Sequence, residues 1–142
     1  MWQGRLKEAL PKLQAEHPRA RWVSLTLTLR NCPVDELGAN LDLMSASWRR
    51  LFQRKEFGSV LGWVRVIEIT RNHKDDTAHP HIHALLMVKP SYFGKGYVSQ
   101  ARWTELWQEC LRINYVPVVH VKAIKESSQS INVAIAETLK YS

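Results

Sequence analysis

Between Arg21 and Arg30 the chain reads RWVSLTLTLR, the stretch that most restricts what it can fold into. Val23, Leu25, Leu27 and Leu29 alternate with Ser24, Thr26 and Thr28, and a β-strand puts every second side chain on one face. Three more strands are predicted: Gly62 to Thr70, His81 to Lys89 around IHALLMV, and Val116 to Ile124. The second and third of the four lie close enough to form an antiparallel hairpin across the polar stretch RNHKDDTAHP. Helical spacing occurs between them. Trp2 to Glu16 carries Leu6, Ala9, Leu10 and Leu13, with Pro11 kinking or dividing the segment. Asp35 caps a helix that runs to about Phe57, striped by Leu41, Met44, Trp48, Leu51 and Phe52. Ser99 opens a helix holding Trp103, Leu106, Trp107, Cys110 and Leu111, and Ser127 to Gln129 cap a last helix. The expected fold class is α+β, with helices packed on a mostly antiparallel sheet.

With 142 residues, 45% of them apolar, the chain suits one globular domain, 1–142. That composition excludes a disordered tail, a collagen-like fibre and a disulfide miniprotein. No apolar run approaches the ~20 residues of a membrane helix, and the first residues lack a signal-peptide pattern. Cys32 and Cys110 are read as reduced thiols, and the expected location is the cytoplasm, away from any membrane. Twenty Lys and Arg against thirteen Asp and Glu leave +7, a balance that favours a polyanionic partner.

Three of six histidines fall within five residues, at His79, His81 and His83. Residues two apart on a strand share a face, so His81 and His83 present neighbouring imidazoles, a good ligand pair for a divalent metal. Glu68 stands where an apolar residue would be expected in VRVIEIT, and a carboxylate there is costly unless paired or ligated. If it is the third ligand, it must lie opposite His81 or His83, not Ile82. The plain alternative is a hydrogen-bonded core histidine with two loop histidines. Two nitrogens and one oxygen suit Zn, Mn or a water-rich Mg site. His120 lies within a strand, where the alternatives are a group behind the metal ligands or one facing DNA; it is read as structural.

HIHALL at His81 resembles the His-hydrophobic-His motif of the HUH endonucleases, most nearly the rolling-circle replication initiators of bacterial plasmids. SLTLTLRN at Ser24 resembles their Leu-Thr-Leu-Thr strand, and ETLKY at Glu137 resembles the motif that carries their nucleophilic tyrosine. The resemblance implies a central antiparallel sheet with His81 and His83 on a middle strand. It further implies Glu68 as third ligand to Mn²⁺ or Mg²⁺, Tyr141 as nucleophile and Glu137 as its helper at termination. It implies single-stranded nicking at a plasmid origin, with host helicase and polymerase as partners, in a domain trimmed from a longer protein in the bacterial cytoplasm. A transposase or relaxase with the same chemistry, a metal-dependent hydrolase and a non-catalytic DNA-binding module are the competing readings.

For DNA contact the expected residues are Lys89, Tyr92, Phe93, Lys95 and Arg102 around the loop after the histidine strand, with Lys122 and Lys140. Tyr92 and Phe93, beside Gly94 and Gly96, are read as exposed rings able to stack on unpaired bases. Arg49, Arg50, Arg54 and Lys55 are read as a solvated helix face. Trp48, Trp103 and Trp107 are assigned to the core.

Overall fold

A computed structural model of the chain describes residue 9 and residues 11–140. Among the described residues five strands form one sheet: β1 (Arg21–Thr28), β2 (Cys32–Pro33), β3 (Val60–Asn72), β4 (Thr77–Val88) and β5 (Val119–Ala123). Of the helix expected from Trp2 to Glu16, residues 11–16 are helical and residues 1–8 and 10 lie outside the described residues; the described residues form three further helices, α1 (Leu37–Phe52), α2 (Gln100–Leu111) and α3 (Ser128–Leu139). Every strand pairing is antiparallel: β4 lies between β3 and β1, β5 pairs with the far side of β1, and β2 pairs with the start of β4. The histidine strand is therefore a middle strand of an α+β fold.

The β3–β4 hairpin is longer and its turn tighter than the sequence suggests. Pairing continues to Asn72 and Thr77, so only residues 73–76 turn the chain. Asn72 Oδ1 accepts from the Lys74 backbone N–H, and Asp75 Oδ1 accepts from the Thr77 N–H and hydroxyl. Asp76 takes a left-handed φ of 55°, a conformation in which aspartate is enriched. Pro80 lies inside β4, where β1 has ended at His81 and β2 pairs only with Ala78 and Thr77. It has a neighbour there on the β3 side only, and one-sided pairing tolerates proline.

The helix expected from Asp35 to about Phe57 is instead split in three. Val34–Glu36 is a 3₁₀ turn with no side-chain cap, α1 ends at Phe52, and Lys55–Ser59 forms another 3₁₀ turn. The last strand also starts later than expected, at Val119.

The two sheet faces are closed by different helices. Ile82, Ala84, Leu86 and Val88 join Leu25, Leu27, Met44, Trp48, Trp103 and Trp107 in the larger core, under α1 and α2. Leu85 and Met87 pack on the other face with Trp22 and with Ile131, Ala134, Ile135 and Leu139 of α3. Trp107 Nε1 donates to the Thr28 carbonyl at 2.9 Å, tying α2 to the end of β1. Cys32 and Cys110 are free thiols, both buried. No described helix is long and apolar enough to cross a membrane.

Candidate metal centre

Strand parity places His81 and His83 on the α3 face, with Leu85 and Met87. Across the hairpin Glu68 lies directly opposite His81, the register that a shared site requires. On the other side of β4, Thr28 faces His81 and Thr26 faces His83. Glu68 Oε1 stands 3.1 Å from His83 Nε2 and 3.9 Å from His81 Nδ1. One ligand atom from each of the three residues lies within 4.8 Å of the others. All three side chains are half-buried, so the cluster is partly screened from water yet open to a ligand.

The donor set fits a divalent cation. His81 Nε2 is buried with no hydrogen-bond partner among the described residues, an orphaned nitrogen on one of the candidate ligands. Burial, then the charges of His79 and His83, lower the His81 pKa against the opposing pull of Glu68. A neutral imidazole is the form that offers a lone pair to a metal. His79 lies on the same face and packs edge-on against His81, with ring centroids 4.3 Å apart, but it is outside the three-residue cluster.

The other predicted site residues scatter. Glu137 lies on the exposed side of α3 in a 2.7 Å ion pair with Lys140. That hydrogen bond, with the lysine's charge, holds the Glu137 carboxyl below its ordinary range. Tyr141 lies outside the described residues. Lys122 is exposed on β5 opposite Ser24, on the histidine face. Lys89, Tyr92, Phe93, Lys95 and Arg102 follow the far end of β4. Lys89 is six residue steps beyond His83, about 20 Å at ~3.3 Å per residue.

Tyr92 is not the exposed ring expected of it. It is 2% exposed. Its hydroxyl accepts from Trp103 Nε1 at 3.0 Å and donates to the Val98 carbonyl, so no base can reach its face. Phe93 is half-buried, with the Arg21 guanidinium 4.2 Å above its ring. Arg102 is engaged by Glu56 at 2.8 Å and Glu105 at 3.0 Å, so its charge is already answered within the protein. Lys89 and Lys95 are exposed.

The register adds residues that sequence reasoning did not assign to the site. His83, Thr26 and His120 form one row across β4, β1 and β5, which puts exposed His120 on the histidine face. Thr26 sits beside His83 in the same row, whereas Thr28 is occupied in donating to the Val118 carbonyl at 2.8 Å. Only the pairing of β5 with β1, ninety-odd residues earlier in the chain, brings His120 to this face.

The sequence pattern of a family described as "Replication protein" (Rep_1) matches residues 1–142. "Protein rep" of Streptococcus pneumoniae is 43% identical over 130 residues, covering 89% of this chain and 41% of that protein. "Protein rep" of Bacillus amyloliquefaciens is 47% identical over 105 residues, 73% of this chain and 31% of that protein. "Protein rep" of Lactiplantibacillus plantarum is 37% identical over 144 residues, 96% of this chain and 45% of that protein. The chain thus spans less than half the length of each of these relatives. No solved structure matches it. On the match along its whole length, the chain belongs to the replication protein family.

Proposed function

We propose that these 142 residues are the nicking domain of a plasmid rolling-circle replication initiator, cutting single-stranded origin DNA by tyrosine transesterification. The observation that carries this reading is the Glu68–His81–His83 cluster on the sheet face covered by α3, the helix that leads in sequence to Tyr141. Membership of the replication protein family favours replication over transposition or conjugative transfer. In this reading host helicase and polymerase act after the nick.

A divalent ion, Mn²⁺ or Mg²⁺, held by His81, His83 and Glu68 would withdraw charge from the scissile phosphate. The protein's own part is positional. A phenol with a pKa near ~10 is a weak nucleophile at neutral pH, and holding it beside the phosphorus makes the attack effectively intramolecular. The Tyr141 hydroxyl gives up its proton and its oxygen bonds to phosphorus as the bond to the 3′ oxygen breaks; the departing oxygen takes up a proton, giving a 5′-phosphotyrosine ester and a free 3′ hydroxyl. One phosphate ester replaces another of similar energy, so the step runs both ways and the same site rejoins ends. Glu137, a carboxylate at neutral pH, accepts the proton from a water or a second strand's hydroxyl at termination.

A denaturing gel tests this. Incubated with Mn²⁺ or Mg²⁺ and a labelled single-stranded origin oligonucleotide, the protein forms a slow-migrating adduct that EDTA and Tyr141→Phe both abolish. Cleavage without an adduct would replace the reading with a hydrolase. Binding with no cleavage would leave a DNA-binding module.

A further inference from the structure

On the sheet face turned away from the metal cluster, α1 and β3 leave two aromatic rings and two guanidinium groups at the surface. Trp63 and Phe52 are 40% and 50% exposed, and their ring centroids stand 5.9 Å apart. Trp63 also packs on buried Trp48 at 5.1 Å, and Phe52 on Phe57 at 5.3 Å, so both rings are supported from beneath. Arg65, two residues along β3 from Trp63, shares its face. The guanidinium carbon of Arg65 lies 5.5 Å from the Trp48 ring centroid and 5.9 Å from that of Trp63.

The charges here are unanswered. Arg50 donates to the Cys110 carbonyl and Ser47, and Arg54 pairs with Glu109. Neither Arg49 nor Arg65 has a carboxylate partner among the described residues. Among the described residues Arg65 Nη1 is buried without an acceptor, and so is the Trp48 indole N–H beneath it. Burial first, and the like charge of Arg49 second, press the Arg65 guanidinium below its ordinary range, yet an arginine in a protein stays protonated. A half-buried cation beside a second cation is unfavourable in the isolated protein, and an anion seated between them relieves it.

The rings say which anion. A single strand of nucleic acid offers phosphates for the two arginines together with unpaired bases for Trp63 and Phe52, whereas duplex bases already stack on each other. An acidic protein segment brings the charge but no flat ring system. We propose that Arg49, Arg65, Trp63 and Phe52 form a second contact for single-stranded DNA, on the face opposite the metal cluster. Among the described residues β3 is an edge strand, paired only with β4, so a bound strand reaches both faces by passing around that edge. The proposal rests on the reading of the chain as a DNA-nicking domain.

The test is oligonucleotide binding in EDTA, where nicking is silent, followed by fluorescence anisotropy with labelled oligo(dT) across a NaCl series. Each phosphate contact on a single strand contributes about 0.7 to the slope of log K against log salt. Arg49→Gln, at an exposed helix position, lowers that slope by about 0.7, and Arg49→Gln with Arg65→Gln lowers it by about 1.4. Trp63→Ala weakens binding about fivefold or more, the loss expected for one stacked base. Unchanged slope and affinity in Arg49→Gln and Trp63→Ala overturn the proposal and leave the patch to a protein partner. Adduct formation with Mg²⁺, assayed separately on the same variants, shows whether the nicking reading stands when the patch fails. Wild-type protein that binds no single strand overturns both.

Discussion

A carboxylate in the middle of an apolar strand needs a partner, and Glu68 finds two imidazoles, with His83 Nε2 at 3.1 Å. Period-two parity made this legible in the sequence, because the three residues depend only on one local hairpin and its register. Glu68→Gln keeps the shape and removes the charge, so Mn²⁺ affinity measured by calorimetry should fall at least tenfold, since even outer-sphere partners are worth about that much. His83→Ala should lower it further. Tyr92 shows where local reading fails: flanking glycines suggested a solvent-facing ring, but Trp103, eleven residues later, supplies the hydrogen bond that fixes it inside. Tyr92→Phe removes a buried hydroxyl that both accepts and donates, at a cost of about 1–2 kcal/mol. Denaturant unfolding should show that loss, while oligonucleotide affinity stays at the wild-type value.

Among the elements, α3 matters most to the site because it covers the histidine face and leads to Tyr141. Its start was readable: the Ser127 hydroxyl accepts from the Ser130 N–H at 3.0 Å, and Ser127→Ala should cost about 1 kcal/mol in thermal unfolding. The boundaries of α1 were not readable, since a 3₁₀ turn at each side continues the helical spacing of apolar residues without continuing the helix. What holds the second of those turns is Glu56, paired at 2.8 Å with Arg102 of α2. Burial raises the Glu56 pKa, but the Arg102 hydrogen bonds, a backbone hydrogen bond and the charges of Arg102 and Lys55 together outweigh it and hold the carboxyl below its ordinary 4.5. A carboxyl depressed by folding stabilises the fold above its unfolded pKa and loses that effect as pH falls through the folded value. Arg102→Ala should therefore cost about 1 kcal/mol at pH 7. The gap between variant and wild type should narrow as pH falls below about 4.5, as melting curves at pH 7 and pH 3.5 will show.

At the scale of the whole molecule, one sheet separates two chemistries. The α1–α2 face is filled by a large apolar core and carries the Arg49–Arg65 patch at its margin. The α3 face holds a smaller core at one end and the Glu68–His81–His83 cluster at the other. This division follows from β4, whose even positions are apolar throughout while its odd positions change from histidine to Leu85 and Met87. The surplus of positive charge pointed to a polyanion but not to where one sits, because ion pairing decides which cations are available. Arg54 and Arg102 are taken by carboxylates, whereas Arg49 has no carboxylate partner among the described residues.

The most direct measurement is Mn²⁺ binding by electron paramagnetic resonance, following loss of the free-ion signal as protein is added. One ion per wild-type chain is expected, with that binding lost in His81→Ala and in Glu68→Ala while circular dichroism shows both variants folded. The same stoichiometry and affinity in folded variants would contradict a metal centre at these three residues.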